Sequence, residues 1–214
     1  MISVLVANPK GGCGKTTIAT HLAAAFANGG LRTALADTDR QRSCLGWLDA
    51  RPDTAAPIVG LDWVKQMSDA PKDTARLVID SAGSSRIKQI RELVRRADVI
   101  VVPVLPSAFD QSSTEMFLAK LRELKPIRRN RKPFALVRNR VRRGSRAAAR
   151  LDSFIQDTSA RDVGWLTDRS IYNEVAWQGL SIFDLRNRQA TDMQSDWIPL
   201  IRYIENADGQ PLLN

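Results

Sequence analysis

The chain has 214 residues, 43% of them apolar and 26% charged, and a formal net charge of +9. That length and composition suit one globular domain with a sizeable core. Two cysteines, Cys13 and Cys44, exclude a disulfide framework, and no apolar run approaches the ~18 residues of a membrane-spanning helix. With an apolar strand expected from residue 2, no secretory signal is expected and the chain reads as cytoplasmic.

In chain order, Ile2–Ala7 is an apolar run of strand length that leads into Asn8-Pro9-Lys10-Gly11-Gly12-Cys13-Gly14-Lys15-Thr16-Thr17. A helix over Thr16–Ala27 follows and closes on Gly29-Gly30, a common helix stop. Further strands are expected at Thr33–Ala36, Leu77–Ile79, Val99–Val104 and Phe134–Val137, with a weaker one near Val163–Leu166. Helical patterns cover Ser84–Arg96, Gln111–Leu124, Ser145–Gln156 and Asp192–Ile204. The clearer strands are near-continuous Val, Ile, Leu and Ala, as in strands buried on both faces. Their alternation with helices predicts a doubly wound α/β chain with a mostly parallel sheet and helices on both faces, a P-loop nucleotide-hydrolase architecture in one domain over 1–214.

In such folds ligands sit beyond the carboxyl ends of the strands. Gly11, Gly12 and Gly14 let the chain turn tightly and bring amide groups, that of Cys13 included, to phosphate oxygens. Lys15 is expected on the β- and γ-phosphates, the Thr16 hydroxyl on Mg²⁺, and Thr17 on the α-phosphate. The strand Leu77–Ile79 ends in Asp80, suited to holding a Mg²⁺-bound water, and Gly83 offers an amide to the γ-phosphate. The second strand ends in Asp37-Thr38-Asp39, and a spacing of two projects both carboxylates the same way, towards the nucleotide; the bland alternative for either is helix capping or exposure.

The loop departs from the usual phosphate-binding pattern, with Pro9 at its first position and a second lysine, Lys10, next to it. This deviant Walker A loop, with Asp37-Thr-Asp-Arg-Gln41, Asp80 and Val102-Pro-Val-Leu-Pro-Ser107, resembles the ParA/MinD family over nearly the whole chain, and the small plasmid-partition ParA proteins most. Arg40 stands where many members carry proline. The resemblance implies a cytoplasmic, nucleoid-associated ATPase that uses ATP and Mg²⁺. Lys10 would reach across an ATP-dependent homodimer to the partner's phosphates, Asp39 would orient the attacking water and join Thr16 and Asp80 at the metal, and Asn139 and Pro106 would wall the base. The plain alternative for Asn139 is a loop asparagine. A carboxylate is a weak base at neutral pH, so slow turnover awaiting a ParB-like or other adaptor protein is expected.

The excess charge is local. Residues 120–150 hold 13 Lys and Arg against one acid, Glu123. A basic segment on a near-neutral body points to a polyanion, here non-specific DNA bound through Arg142, Arg143 and Arg146 among others; the alternative is a solvated basic face. The cargo reads as plasmid DNA or a chromosome segment, or else a protein assembly such as a chemoreceptor cluster or microcompartment. A membrane-cycling MinD-like regulator needs a basic amphipathic end, whereas Tyr203–Asn214 has two acids and no base. A metabolic P-loop enzyme is a further alternative. His21 and the five tryptophans read as packing residues.

Overall fold

The computed structural model describes residues 1–207, so most of the tail on which the membrane argument rests lies outside the described residues. Seven strands form one sheet: β1 (Ile2–Val6), β2 (Thr33–Asp37), β3 (Ile58–Asp62), β4 (Arg76–Asp80), β5 (Val99–Val104), β6 (Phe134–Val141) and β7 (Arg161–Thr167). Every pairing is parallel and the order is β3-β2-β4-β1-β5-β6-β7. The chain winds outward from β1 to one side and later to the other. The crevice of this switch point therefore opens at the end of β1, where the glycine-rich loop begins.

The helices are α1 (Lys15–Asn28), α2 (Ser43–Asp49), α3 (Ile87–Arg96), α4 (Ala108–Glu123), α5 (Lys125–Arg128), α6 (Arg146–Thr158), α7 (Ile171–Ala176), α8 (Arg188–Ser195) and α9 (Ile198–Glu205). Side chains alternate across the sheet, so each strand feeds both layers. Val4, Val6, Leu35 and Val78 pack with Ile18 and Leu22 of α1, Trp47 of α2 and Leu200 of α9. Leu5, Ala36, Ile79 and Val102 pack with Leu93 of α3, Leu121 of α4 and Leu151 of α6. The expected doubly wound fold is the observed one.

Several elements differ from expectation, among them the short helices α5 and α7, which were not expected. β3 and α2 carry no clear pattern in the sequence, because β3 is an edge strand with only partly covered side chains and α2 is one short helix. They are fitted to each other at Gly60, where a Cβ would lie 2.9 Å from Leu48 Cδ1. The expected helix over Asp192–Ile204 is two helices, α8 and α9, with Asp196 and Trp197 between them. Pro199 in the first turn of α9 has no amide to carry a continuous ladder back to α8.

A buried ion pair ties the first layer together. Arg51, just after α2, meets Asp184 at 2.7 Å, and both side chains are 5% exposed. The guanidinium also donates to the carbonyls of Ala56 and Gly179 and lies 5.0 Å from the Trp47 ring centroid. Asp184 accepts from Asn28 at the end of α1 and from Ser181. Removing one partner strands a buried charge. Asp184→Ala is expected to cost about 3 kcal/mol or more in urea denaturation; a loss below about 1 kcal/mol would show that the pair is not held apart from water.

Candidate nucleotide-binding site

A cavity of about 850 Å³ opens at the carboxyl ends of the strands. The glycine-rich loop forms its floor through Gly11, Gly12, Gly14, Lys15, Thr16 and Thr17. Asp39 after β2 and Gly83 after β4 line one side, and Asn139 of β6 with Asp168 and Arg169 after β7 line the other. Its volume lies in the range typical of cofactor-sized pockets.

The loop is pinned at both ends by the protein's own hydrogen bonds. Asn8 is buried; its amide donates to the Pro103 carbonyl of β5 at 2.8 Å and to Thr114 of α4 at 2.9 Å, while its Oδ1 accepts from the Lys10 amide at 3.0 Å. At the far end, Asn139 Nδ2 donates to the Cys13 carbonyl at 2.8 Å. Gly14 has φ +92°, and a Cβ there would stand 2.0 Å from that same Nδ2. Only glycine satisfies both the left-handed backbone and the close approach of β6.

The two lysines occupy different places. Lys15 is 6% exposed, lines the cavity, and donates from Nζ to the Lys10 carbonyl at 2.9 Å. Lys10 is half-buried and does not line this chain's own cavity; among the described residues its ammonium makes no hydrogen bond or ion pair. Cys13 turns inward, with its Sγ 3.2 Å from the Lys10 carbonyl, and burial pushes its thiol pKa up.

The acids also divide. Asp80 is 2% exposed; its Oδ2 accepts from the Thr16 hydroxyl at 2.7 Å and from the Cys44 thiol at 3.2 Å. Its Oδ1 is buried and among the described residues has no hydrogen-bond partner, and desolvation pushes the carboxyl pKa up to about 6. A buried carboxylate oxygen left unsatisfied beside a threonine hydroxyl fits Mg²⁺, which is held by one or two protein oxygens together with phosphates and water. Asp39 lines the cavity, as expected, and its Oδ1 accepts from the Gln41 amide at 3.0 Å. Asp37 does not project with it. Fully buried, it accepts from the amides of Asp39 at 2.9 Å, Cys44 at 2.8 Å and Leu45 at 3.4 Å, and so caps the first turn of α2. The alternation of a strand stops at Asp37, where the chain turns into α2.

On the side of β6, Asn139 lines the cavity, but one amide hydrogen serves the loop and Oδ1 accepts from the Arg140 amide. Pro106 is not part of the lining. The end of β7 and the start of α7 supply Asp168, Arg169, Tyr172 and Asn173 instead. These residues escape sequence reasoning because β7 is weakly marked; the rule that ligands sit at strand carboxyl ends points to Thr167-Asp168-Arg169. Behind Tyr172, His21 stacks on Trp197 with centroids 5.2 Å apart and bonds the Thr17 carbonyl through Nδ1 at 2.9 Å. Burial lowers its pKa to about 4, so it is a neutral packing residue at physiological pH, as expected.

The basic segment is less free than its count implies. Arg142 meets Asp168 at 3.4 Å and Arg143 meets Asp196 at 2.8 Å, both on exposed surface; Arg143 also lies over Trp165. Arg138 is committed to Asp152 and Asp162. Arg146, Arg128, Arg129 and Arg131 are exposed, and among the described residues they have no ion pair.

A parallel sheet with a glycine-rich loop, a lysine and a threonine hydroxyl bonded to a buried aspartate at its switch point defines a P-loop nucleotide-binding protein. Residues 4–174 match the family described as the CobQ/CobB/MinD/ParA nucleotide binding domain, and the chain belongs to that family. It is 29% identical over 205 residues to a maintenance of carboxysome distribution protein A from Halothiobacillus neapolitanus, covering 89% of this chain and 91% of that one. Among solved structures it resembles a plasmid partition protein from Borrelia burgdorferi bound to AMPPNP, with TM-score 0.74, 14% identity, and 94% and 99% of the two chains covered. An ATP complex of McdA from Cyanothece superposes with TM-score 0.73 at 15% identity over 100% and 98% of the chains.

Asn139→Ala, studied without nucleotide, is expected to lose about 1 kcal/mol in urea denaturation, because it removes the bond that holds the loop. Unchanged stability with weakened nucleotide binding would give Asn139 a base-contacting role alone.

Proposed function

We propose that this chain is a ParA-like ATPase that dimerises when ATP is bound, binds DNA without sequence preference in that state, and partitions or positions a cargo. The observation that carries the reading is the division of the two loop lysines. Lys15 serves the cavity of its own chain, whereas Lys10 sits on the same loop, outside that cavity and without a partner among the described residues. Two triphosphates brought face to face concentrate negative charge in a buried interface, and each side must supply a cation. Lys10 is the side chain placed to do so for a second copy, as a trans-acting counterpart of an arginine finger.

Within one site, Lys15 and the loop amides hold the β- and γ-phosphates, and Thr16 and Asp80 hold Mg²⁺. The metal, when bound, neutralises charge that develops on the transferred phosphoryl group. Asp39 faces the cavity on the γ-phosphate side with Gly83, so it orients the attacking water; Asp37 is committed to α2 and cannot replace it. Asp39→Ala is expected to abolish phosphate release while ATP-dependent dimerisation is retained. Wild-type turnover in that variant would move water activation elsewhere.

DNA binding is assigned to the arginine-rich segment, with the adaptor and cargo open between two kinds. Plasmid or chromosomal DNA is one. A protein assembly is the other, and the match along almost the full length of a carboxysome-distribution protein favours it. Among the described residues no helix is long and apolar enough to cross a membrane. Replacing Arg142, Arg143 and Arg146 together with Glu is expected to weaken binding to random duplexes and to lower the log–log salt slope by about 0.9 for each phosphate that the chain no longer neutralises. Binding should also be tighter with ATP than with ADP, because a dimer offers two patches at once. Equal affinity in both nucleotide states, or an unchanged slope, would reject this surface.

A further inference from the structure

A second cavity, of about 490 Å³, lies between α3 and the segment that follows β3. Its apolar lining is Trp63, Val64, Met67 and Leu93. Trp63 is held in place from two sides: its indole donates to Ser68 at 3.2 Å, and the Arg96 guanidinium lies 5.3 Å from its ring centroid. The charged residues in the lining are Lys65, Arg95 and Arg96 against a single acid, Glu92. Arg96 is partly answered by Asp69 at 3.5 Å, but among the described residues Lys65 and Arg95 have no ion pair or hydrogen bond. The outer surface of α3 continues the same sign, with Lys88 and Arg91 exposed.

This cleft shares its walls with the nucleotide cavity. Thr38 lines the cleft while Asp39 lines the nucleotide site, and Ser85 lines the cleft while Ser84 lines the nucleotide site. Two short loops therefore separate the cavities, one carrying Asp39 and the other following Gly83. Thr38 joins them: its hydroxyl donates to the Asp80 carbonyl at 2.9 Å and accepts from the Ala82 amide at 3.0 Å. A body seated against Thr38 and Ser85 pushes on the residues that position water and γ-phosphate.

We propose that the cleft between α3 and residues 63–68 is a docking site for an acidic, apolar peptide segment of a partner protein, which acts through Thr38 and Ser85 on the loops of the nucleotide site. The apolar floor takes a hydrophobic side chain of that segment, and the unpaired Lys65 and Arg95 take carboxylates beside it. The cations alone suit phosphate as well as carboxylate, but the apolar recess between them fits a hydrophobic side chain, which a phosphate backbone lacks, and this favours peptide over DNA. The docking stands on the cleft alone; its effect on turnover rests on the ATPase reading.

The test is a phage-displayed library of random 12-residue peptides selected on the full chain with ATP and Mg²⁺. Selected sequences are expected to combine Asp or Glu with Leu, Phe, Met or Trp. Fluorescence anisotropy of the strongest peptide should show at least tenfold weaker binding to Lys65→Glu/Arg95→Glu, whose fold is checked by circular dichroism. A saturating amount of that peptide should change ATP turnover of the wild type at least threefold. No enrichment, enrichment of basic peptides, or equal affinity for the double variant would overturn the proposal, as would loss of DNA binding in that variant without any peptide selection. Peptide binding that depends on Lys65 and Arg95 in a chain that hydrolyses no ATP would sustain the docking site and sink the ATPase reading instead.

Discussion

Asp37 and Asp80 are paired in register at the ends of β2 and β4, both almost fully buried, and two adjacent carboxylates in that position are costly unless each finds a use. The protein resolves them differently. Burial pushes the Asp37 pKa up, opposed only in part by the amides of Asp39, Cys44 and Leu45, and its carboxyl is taken up in starting α2. Asp80 has the Thr16 hydroxyl and the Cys44 thiol on one oxygen and, among the described residues, no partner on the other. A buried carboxylate beside a threonine hydroxyl at the mouth of the glycine-rich loop is a donor set that fits a divalent cation, and the other cavity-lining residues surround it.

The loop itself is held by groups with no role in phosphate contact. Asn8 bonds β5 and α4, and Asn139 bonds the Cys13 carbonyl from β6. Those anchors fix where Lys15 and Lys10 leave the chain. Pre-setting donors in this way removes the ordering cost that would otherwise fall on ligand binding. The same arrangement leaves the second lysine outside its own chain's cavity, as the proposed role toward a second copy requires.

Much of this was legible in the sequence because it depends on local pattern. The glycine-rich loop, the strand ending in Asp80 and the alternation of buried strands with helices are each set by adjacent residues. What was not legible depends on contacts between distant segments. Asp37 and Asp39 have the same residue type and the same strand-end spacing, and only the turn into α2 separates a cap from a cavity-facing acid. Asp168 and Tyr172 reach the site because β7 lies beside β6, and β7 is interrupted by Gly164 and by register shifts against its neighbour. Arg142 and Arg143 look like free cations in the sequence but lie against Asp168 and Asp196, which come from 26 and 53 residues further along.

The central claim is that Lys10 serves a second copy of the chain. Light scattering of Lys10→Ala with ATP and Mg²⁺, beside a nucleotide-binding titration, tests it most directly. The account predicts ATP binding close to wild type and the mass of a monomer, while the wild type gives a dimer. A variant that still dimerises fully with ATP, or one that loses ATP binding outright, would contradict a lysine acting in trans.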